Sequence, residues 1–162
     1  MPFTLQNPPL EFLQTAKCIV QAEGMVPGSV DDVFNVLADA PQWPTWFSGM
    51  TGVDWTSAPP RGVGSTRVVA IGPLRAWERF IAWEPGARMA FVITETNLPG
   101  VKAMMEDLQL QMEEEGKTRI RYRIALQFAC PLQPFGNIVR MLLNRILRQS
   151  LTTLAKKLTT KR

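Results

Sequence analysis

The sequence predicts one α+β domain in which a curved, seven-strand antiparallel sheet surrounds a long C-terminal helix, in the order βααββββββα. Three observations carry this. Between residues 53 and 130, six successive segments alternate apolar and polar side chains with period two, as strands with one buried face do. Gly or Pro separates nearly all of them, and the Glu113-to-Lys117 connection is short enough for a hairpin. Beyond Pro131 and Pro134 the period becomes helical and stays so almost to the end of the chain.

In chain order, residues 1–15 read as a Pro-containing N-terminal arm and residues 16–162 as a single ligand-binding domain. Ala16 to Met25 alternates as a strand and stops at Pro27-Gly28. Ser29 is the expected N-cap of a short helix, with Asp31 and Asp32 in its dipole-favoured first turn and Val30, Val33, Phe34 and Leu37 as its apolar stripe. Asp39-Ala40-Pro41 ends that helix, and Trp43, Pro44, Trp46 and Phe47 predict a second short helix or turn. Strands follow at Val53 to Ser57, Ser65 to Ile71, Leu74 to Trp83, Arg88 to Thr96, Lys102 to Glu113 and Lys117 to Cys130. The last of these shows its faces plainly, with Ile120, Tyr122, Ile124, Leu126 and Phe128 alternating with Arg119, Arg121, Arg123, Ala125 and Gln127. The final helix, about seven turns at about 3.6 residues per turn, carries Phe135, Ile138, Val139, Leu142, Leu143, Ile146, Leu147, Leu151, Leu154, Ala155 and Leu158. It is the one element long enough to cover the sheet's apolar face. A strongly curved sheet cannot touch a straight helix everywhere, so an apolar space is expected at one end, and ligand sites favour such places.

Composition narrows the chemistry. The 162 residues include no histidine, which excludes Ser-His-Asp and Cys-His catalysis, histidine metal centres and histidine proton relays. Two cysteines, Cys18 and Cys130, are too few for a zinc site or a disulfide scaffold; free thiols in a reducing, cytoplasmic setting are expected, with no metal and no cofactor. The N-terminus lacks an export-signal pattern, and no apolar run is long enough to span a membrane. Net charge is +4, but residues 116–162 hold 11 Lys and Arg and no acid, against 7 and 14 in residues 1–115. This basic end either meets an anionic membrane surface or pairs with the earlier acids and finishes in a solvated tail. No nucleic-acid partner is expected, and the chain is read as a monomer or weak homodimer.

Several motifs then converge on a family. Pro27-Gly28-Ser29-Val30-Asp31-Asp32-Val33-Phe34, Trp43-Pro44-Thr45-Trp46, Gly62-Val63-Gly64-Ser65-Thr66-Arg67, Trp77-Glu78-Arg79 and Trp83-Glu84-Pro85-Gly86 together resemble the polyketide cyclase/dehydrase branch of the START-like (SRPBCC) superfamily over about residues 16–160. The resemblance implies a helix-grip fold like that of the birch-pollen allergens, with a hydrophobic cavity used for lipid transfer, hormone sensing, polyketide ring closure or oxygenase chemistry. The oxygenase branch needs histidine ligands for iron, so it is excluded. No catalytic residue carries over from the family motif by motif.

Strand parity supplies the candidate site. The resemblance to plant hormone receptors of the superfamily places Glu78 inward, and with it Phe80; Arg67 and Val69 follow on the preceding strand, so that Arg67 and Glu78 meet either as a structural ion pair or as a ligand anchor. Glu106 stands out as an acid on the face of Met104, either a carboxylate in water at the cavity mouth or a functional base, and Tyr122, the only tyrosine, faces it from the partner strand with Ile124. Val92 and Thr94, with Leu142 and Ile146 of the helix, complete the expected lining, and Trp46 is placed at the entrance. The leading function is a non-enzymatic carrier or sensor of a small hydrophobic lipid, polyketide or aromatic molecule. The alternative is a polyketide cyclase or dehydratase using Glu78, Glu106, Arg67 and Tyr122. A third is an interaction module acting through the basic C-terminal helix.

Overall fold

The computed structural model describes residues 1–113, 116–129 and 133–160; Cys130, Pro131 and the middle of the Glu113-to-Lys117 turn lie outside them. Seven strands form one antiparallel path, β2 (Cys18–Pro27), β8 (Lys117–Phe128), β7 (Val101–Met112), β6 (Arg88–Thr96), β5 (Leu74–Glu84), β4 (Thr66–Ile71) and β3 (Met50–Trp55). Between β2 and β3 come helix α2 (Val30–Ala38) and a 3-10 helix, Ala40–Thr45. Helix α3 (Gly136–Thr160) closes the concave face. The expected order and sheet are those observed.

Local chemistry accounts for the element ends. Ser29 caps α2 through a reciprocal box: its Oγ accepts from the Asp32 N–H at 3.1 Å, and Asp32 Oδ2 accepts from the Ser29 N–H at 3.3 Å. Against β2, α3 buries Leu147, Ser150, Leu151 and Leu154. The approach is close: a Cβ on Gly24 would lie 3.0 Å from the Leu151 Cβ, so a larger residue there would have to displace the helix by a few tenths of an ångström.

The arm departs from expectation. β6 and β7 pair only from Arg88↔Gln109 to Val92↔Met105, and beyond that point the chain's beginning fills the gap. β1 (Phe3–Thr4) pairs with Thr96 and Glu95 of β6, the Leu5 N–H donates to Thr94 O at 2.8 Å, and the Gln6 N–H donates to Lys102 O at 2.9 Å. Leu5 is buried in the main core. Helix α1 (Phe12–Thr15) then lays Phe12 and Leu13 on the convex face, over Val92, Met105 and Ala125. The sheet is therefore apolar on both faces at its centre. On the convex side Asp107 bridges Arg88 at 2.6 Å and Arg123 at 2.8 Å.

Candidate functional site

At the N-terminal end of α3 the helix and sheet part, leaving a pocket of about 200 Å³. Val69 and Ile71 of β4, Leu74 and Ala76 of β5, and Met104 of β7 form one wall; Leu126 and Phe128 of β8 with Val139 and Leu143 of α3 form the other, and Thr96, Leu98 and Val101 close the rim. Nearly every lining group is apolar, which suits a hydrophobic guest. A larger groove of about 660 Å³ runs between β2 and α3, with Gln21, Glu23, Arg148 and Thr152 interspersed among Ala22, Met25, Leu151 and Ala155, so its lining is mixed where the smaller pocket's is nearly all apolar.

Beneath this pocket lies a polar layer, and strand periodicity explains its position. Arg67, Glu78 and Glu106 each stand two residues further along the same face of a strand than Val69, Ala76 and Met104, a step of about 7 Å. β4 and β5 pair Arg67 with Glu78, and β7 and β8 pair Glu106 with Ile124, two residues from Tyr122. Arg67 Nε donates to Glu78 Oε2 at 2.5 Å, while the Tyr122 hydroxyl donates to Glu106 Oε2. The guanidinium is boxed by aromatic rings, 4.3 Å from the centre of Trp43, 4.9 Å from Phe91 and 5.0 Å from Phe80. Its two terminal nitrogens, and the indole nitrogen of Trp46, are buried without an acceptor among the described residues. A buried unpaired donor costs about 1–3 kcal/mol, so these three atoms favour any oxygen that reaches them.

Burial sets the electrostatics of the layer. Desolvation pushes the Glu78 carboxyl up from its ordinary value, and the charge and hydrogen bond of Arg67 pull it back down. Glu106 is raised to about 8, first by burial and then by the charge of Glu78, with the Tyr122 hydrogen bond and Arg67 opposing. Tyr122 is pushed well above its ordinary value by burial and by the Glu106 carboxyl beside it. Glu106 is thus a neutral acid at neutral pH.

Of the residues expected to line the cavity, Val69 and Met104 do so. Arg67, Glu78, Phe80, Glu106, Tyr122 and Ile124 share the buried layer or the core below it, and Ile146 packs at the core's edge. Four placements are corrected. Val92 faces the convex side against Phe12 and Leu13, because the run Met89 to Ile93 is apolar on both faces and its alternation carries no direction. Thr94 sits at a bulge between β5 and β6 and gives its hydroxyl to Trp77 O at 3.2 Å. Leu142 is 52% exposed, one residue and thus about 100° around the helix from Leu143, which takes its place. Trp46 packs between Trp43 and Phe47, on the segment whose Gln42 and Thr45 meet Lys157 near the far end of α3, away from the mouth. Leu74, Leu126, Phe128, Val139 and Leu143 were not singled out, although the same periodicities, followed to the element ends, contain them. Leu98 belongs to a connection with no periodic signal, and Val101 is the first residue of β7, one position before the expected strand. Cys18 is a buried free thiol donating to Gly136 O at 3.8 Å.

Comparison with known proteins follows this geometry. Residues 17–159 match the family model described as polyketide cyclase/dehydrase and lipid transport. An uncharacterized protein of Mycobacterium tuberculosis is 36% identical over 148 residues, covering 91% of this chain and 88% of that protein. Among solved structures, a START superfamily protein from Mycobacterium smegmatis superposes with a TM-score of 0.76 at 11% identity, covering 90% of this chain and 99% of that one. The di-domain ARO/CYC protein BexL, from the BE-7585A biosynthetic pathway, gives a TM-score of 0.70 at 18% identity, over 85% of this chain and 45% of that one. These structural likenesses establish the shared fold.

Proposed function

The chain belongs to the polyketide cyclase/dehydrase and lipid-transport family, and from that premise we propose that it binds a small hydrophobic molecule between its sheet and α3, as a carrier or sensor. The apolar pocket at the start of α3, with Arg67 one strand step beneath it, supports this assignment. A guest with an apolar body and one carbonyl or hydroxyl oxygen suits both parts, since its body covers Val69, Met104 and Leu143 and its oxygen reaches towards the unpaired guanidinium donors.

The test uses freshly purified protein in native mass spectrometry and a fluorescent hydrophobic probe. A co-purifying apolar compound and saturable probe uptake are expected. Leu143→Glu, facing the pocket, should abolish uptake with the far-UV spectrum unchanged, whereas Ile138→Glu on the outward side of the same helix should retain it. Equal uptake by Leu143→Glu and wild type would exclude this pocket.

A second reading, ring closure or dehydration of a polyketide, is favoured by the Glu106–Tyr122 pair. A carboxyl raised to about 8 ionises near working pH and then has the basicity needed to remove an acidic carbon-bound proton. Glu106→Gln separates the two. A carrier keeps its ligand, while a cyclase retains binding and loses about a hundredfold or more in rate.

A further inference from the structure

Helix α3 begins with large apolar side chains on its outward as well as its inward side, with Asn137 and Arg140 between them. Val139 and Leu143 turn inward to the pocket, yet Ile138, Met141 and Leu142 on the other side, and Phe135 just before them, are each more than half exposed. Leu74, at the start of β5, and Leu98, between β6 and β7, join them from the lining of the same pocket, and both are exposed. Four large apolar side chains are thus exposed on and just before the helix end that borders the pocket and two more at the pocket itself, where an ordinary surface helix would carry polar groups. Basic side chains stand among and beyond these apolar ones. Arg140, Arg145 and Arg148 are exposed, and no carboxylate among the described residues pairs with them.

We propose that this end of the molecule docks onto an anionic lipid bilayer, inserting Phe135, Ile138, Met141 and Leu142 at the headgroup boundary while Arg140, Arg145 and Arg148 meet lipid phosphates. Charge decides against the nearest competitor, a second copy of the chain. Two-fold apposition of this face would set the arginines against their own copies, and residues 116–162 contain no acid to offset them. A phosphate surface reverses the sign of that interaction. Among the described residues no helix is long and apolar enough to cross a membrane, and the exposed apolar stretch from Phe135 to Leu142 spans only about 10 Å at about 1.5 Å per residue, which fits shallow insertion. Docked in this way, the pocket opens towards the lipid and an apolar guest passes without crossing water. That last consequence rests on the ligand-binding reading; the docking does not.

Co-sedimentation of the full chain with vesicles tests it. Vesicles of phosphatidylcholine containing about one third phosphatidylglycerol should bind the protein, phosphatidylcholine alone should not, and high salt should release it. Met141→Glu/Leu142→Glu should lose vesicle binding while keeping probe uptake and a native far-UV spectrum. Arg140→Gln/Arg145→Gln/Arg148→Gln should weaken binding on the order of a hundredfold, and Arg121→Gln, exposed on the convex face, should change it little. Leu143→Glu keeps vesicle binding even where it loses the probe, so failure of the pocket and failure of the docking surface give different patterns. Wild-type binding by Met141→Glu/Leu142→Glu, equal binding to neutral vesicles, or an equal loss in Arg121→Gln would overturn the proposal. So would a wild-type dimer in light scattering that Met141→Glu/Leu142→Glu converts to monomer.

Discussion

The two ends of α3 face the same sheet and do different things. Near its C-terminus Leu147, Leu151 and Leu154 are fully enclosed, Ser150 Oγ accepts from the Ser48 N–H at 2.9 Å while donating to Ile146 O at 2.7 Å, and Lys157 reaches Gln42 and Thr45. Near its N-terminus the inward side chains border a pocket and the outward ones are apolar and bare. The enclosed end is backed by the tryptophans and aromatic rings around Arg67, which fill the curve of the sheet. The other end lacks that filling. Stability is thereby concentrated where the helix is enclosed, and the mouth is the more loosely packed of the two ends.

Substitutions should separate the ends by magnitude. At the enclosed end, Glu78→Ala leaves the buried Arg67 charge without its partner and is expected to cost about 3–5 kcal/mol in urea unfolding. A loss below about 1 kcal/mol would mean that the guanidinium finds other compensation. Leu154→Ala opens a cavity among enclosed side chains and should cost about 2–5 kcal/mol, whereas Leu143→Ala at the mouth, half-buried against a space already present, should cost under about 1.5 kcal/mol. Equal losses from the two would erase the distinction between the ends.

The buried acid yields a pH signature. Glu106 stays neutral in the fold up to about 8 but ionises near 4.5 when exposed by unfolding. Between those values unfolding releases a proton, so stability falls as pH rises, by up to about 1.4 kcal/mol per pH unit. Denaturation midpoints measured from pH 5 to pH 8 should show that fall in the wild type and a flatter profile in Glu106→Gln. The smallest effect is expected at the bare face. Leu142→Ser should change stability by less than about 0.5 kcal/mol, and a larger loss in thermal unfolding would show that the exposed apolar face packs against something in solution.

Part of this site was legible in the alternation of single strands, and part, the inward Glu78 with Arg67 opposite it, came with the family resemblance. Arg67, Glu78, Glu106 and Tyr122 were expected on inward faces, and all four are buried there together. Parity is a local property, and each of these charged or polar residues interrupts an otherwise apolar series. Thr94 was misplaced because one extra residue at a bulge breaks the count, and nothing in the composition of Ile93-Thr94-Glu95 announces it. Arg123 shows a further limit. Its parity correctly sets it on the convex face, yet its bond to the buried Asp107 makes it structural, and Arg121, paired at the surface with Glu23, is the better neutral control for that face.

By itself the sequence determined the number and order of the seven principal strands, the capped second helix, the long final helix and the shared face of Tyr122 and Ile124. Each depends on spacing within one segment, where neighbouring side chains must share a face whatever the rest of the chain does. Only the tertiary structure decided that the first fifteen residues complete the sheet and cover its convex side, that Val92 therefore faces Phe12, that Trp46 belongs to the enclosed end, and that the mouth opens beside Leu143. Those outcomes join residues up to about a hundred positions apart. Local periodicity states which side chains seek shelter, and the long-range approach of other segments decides where that shelter is found.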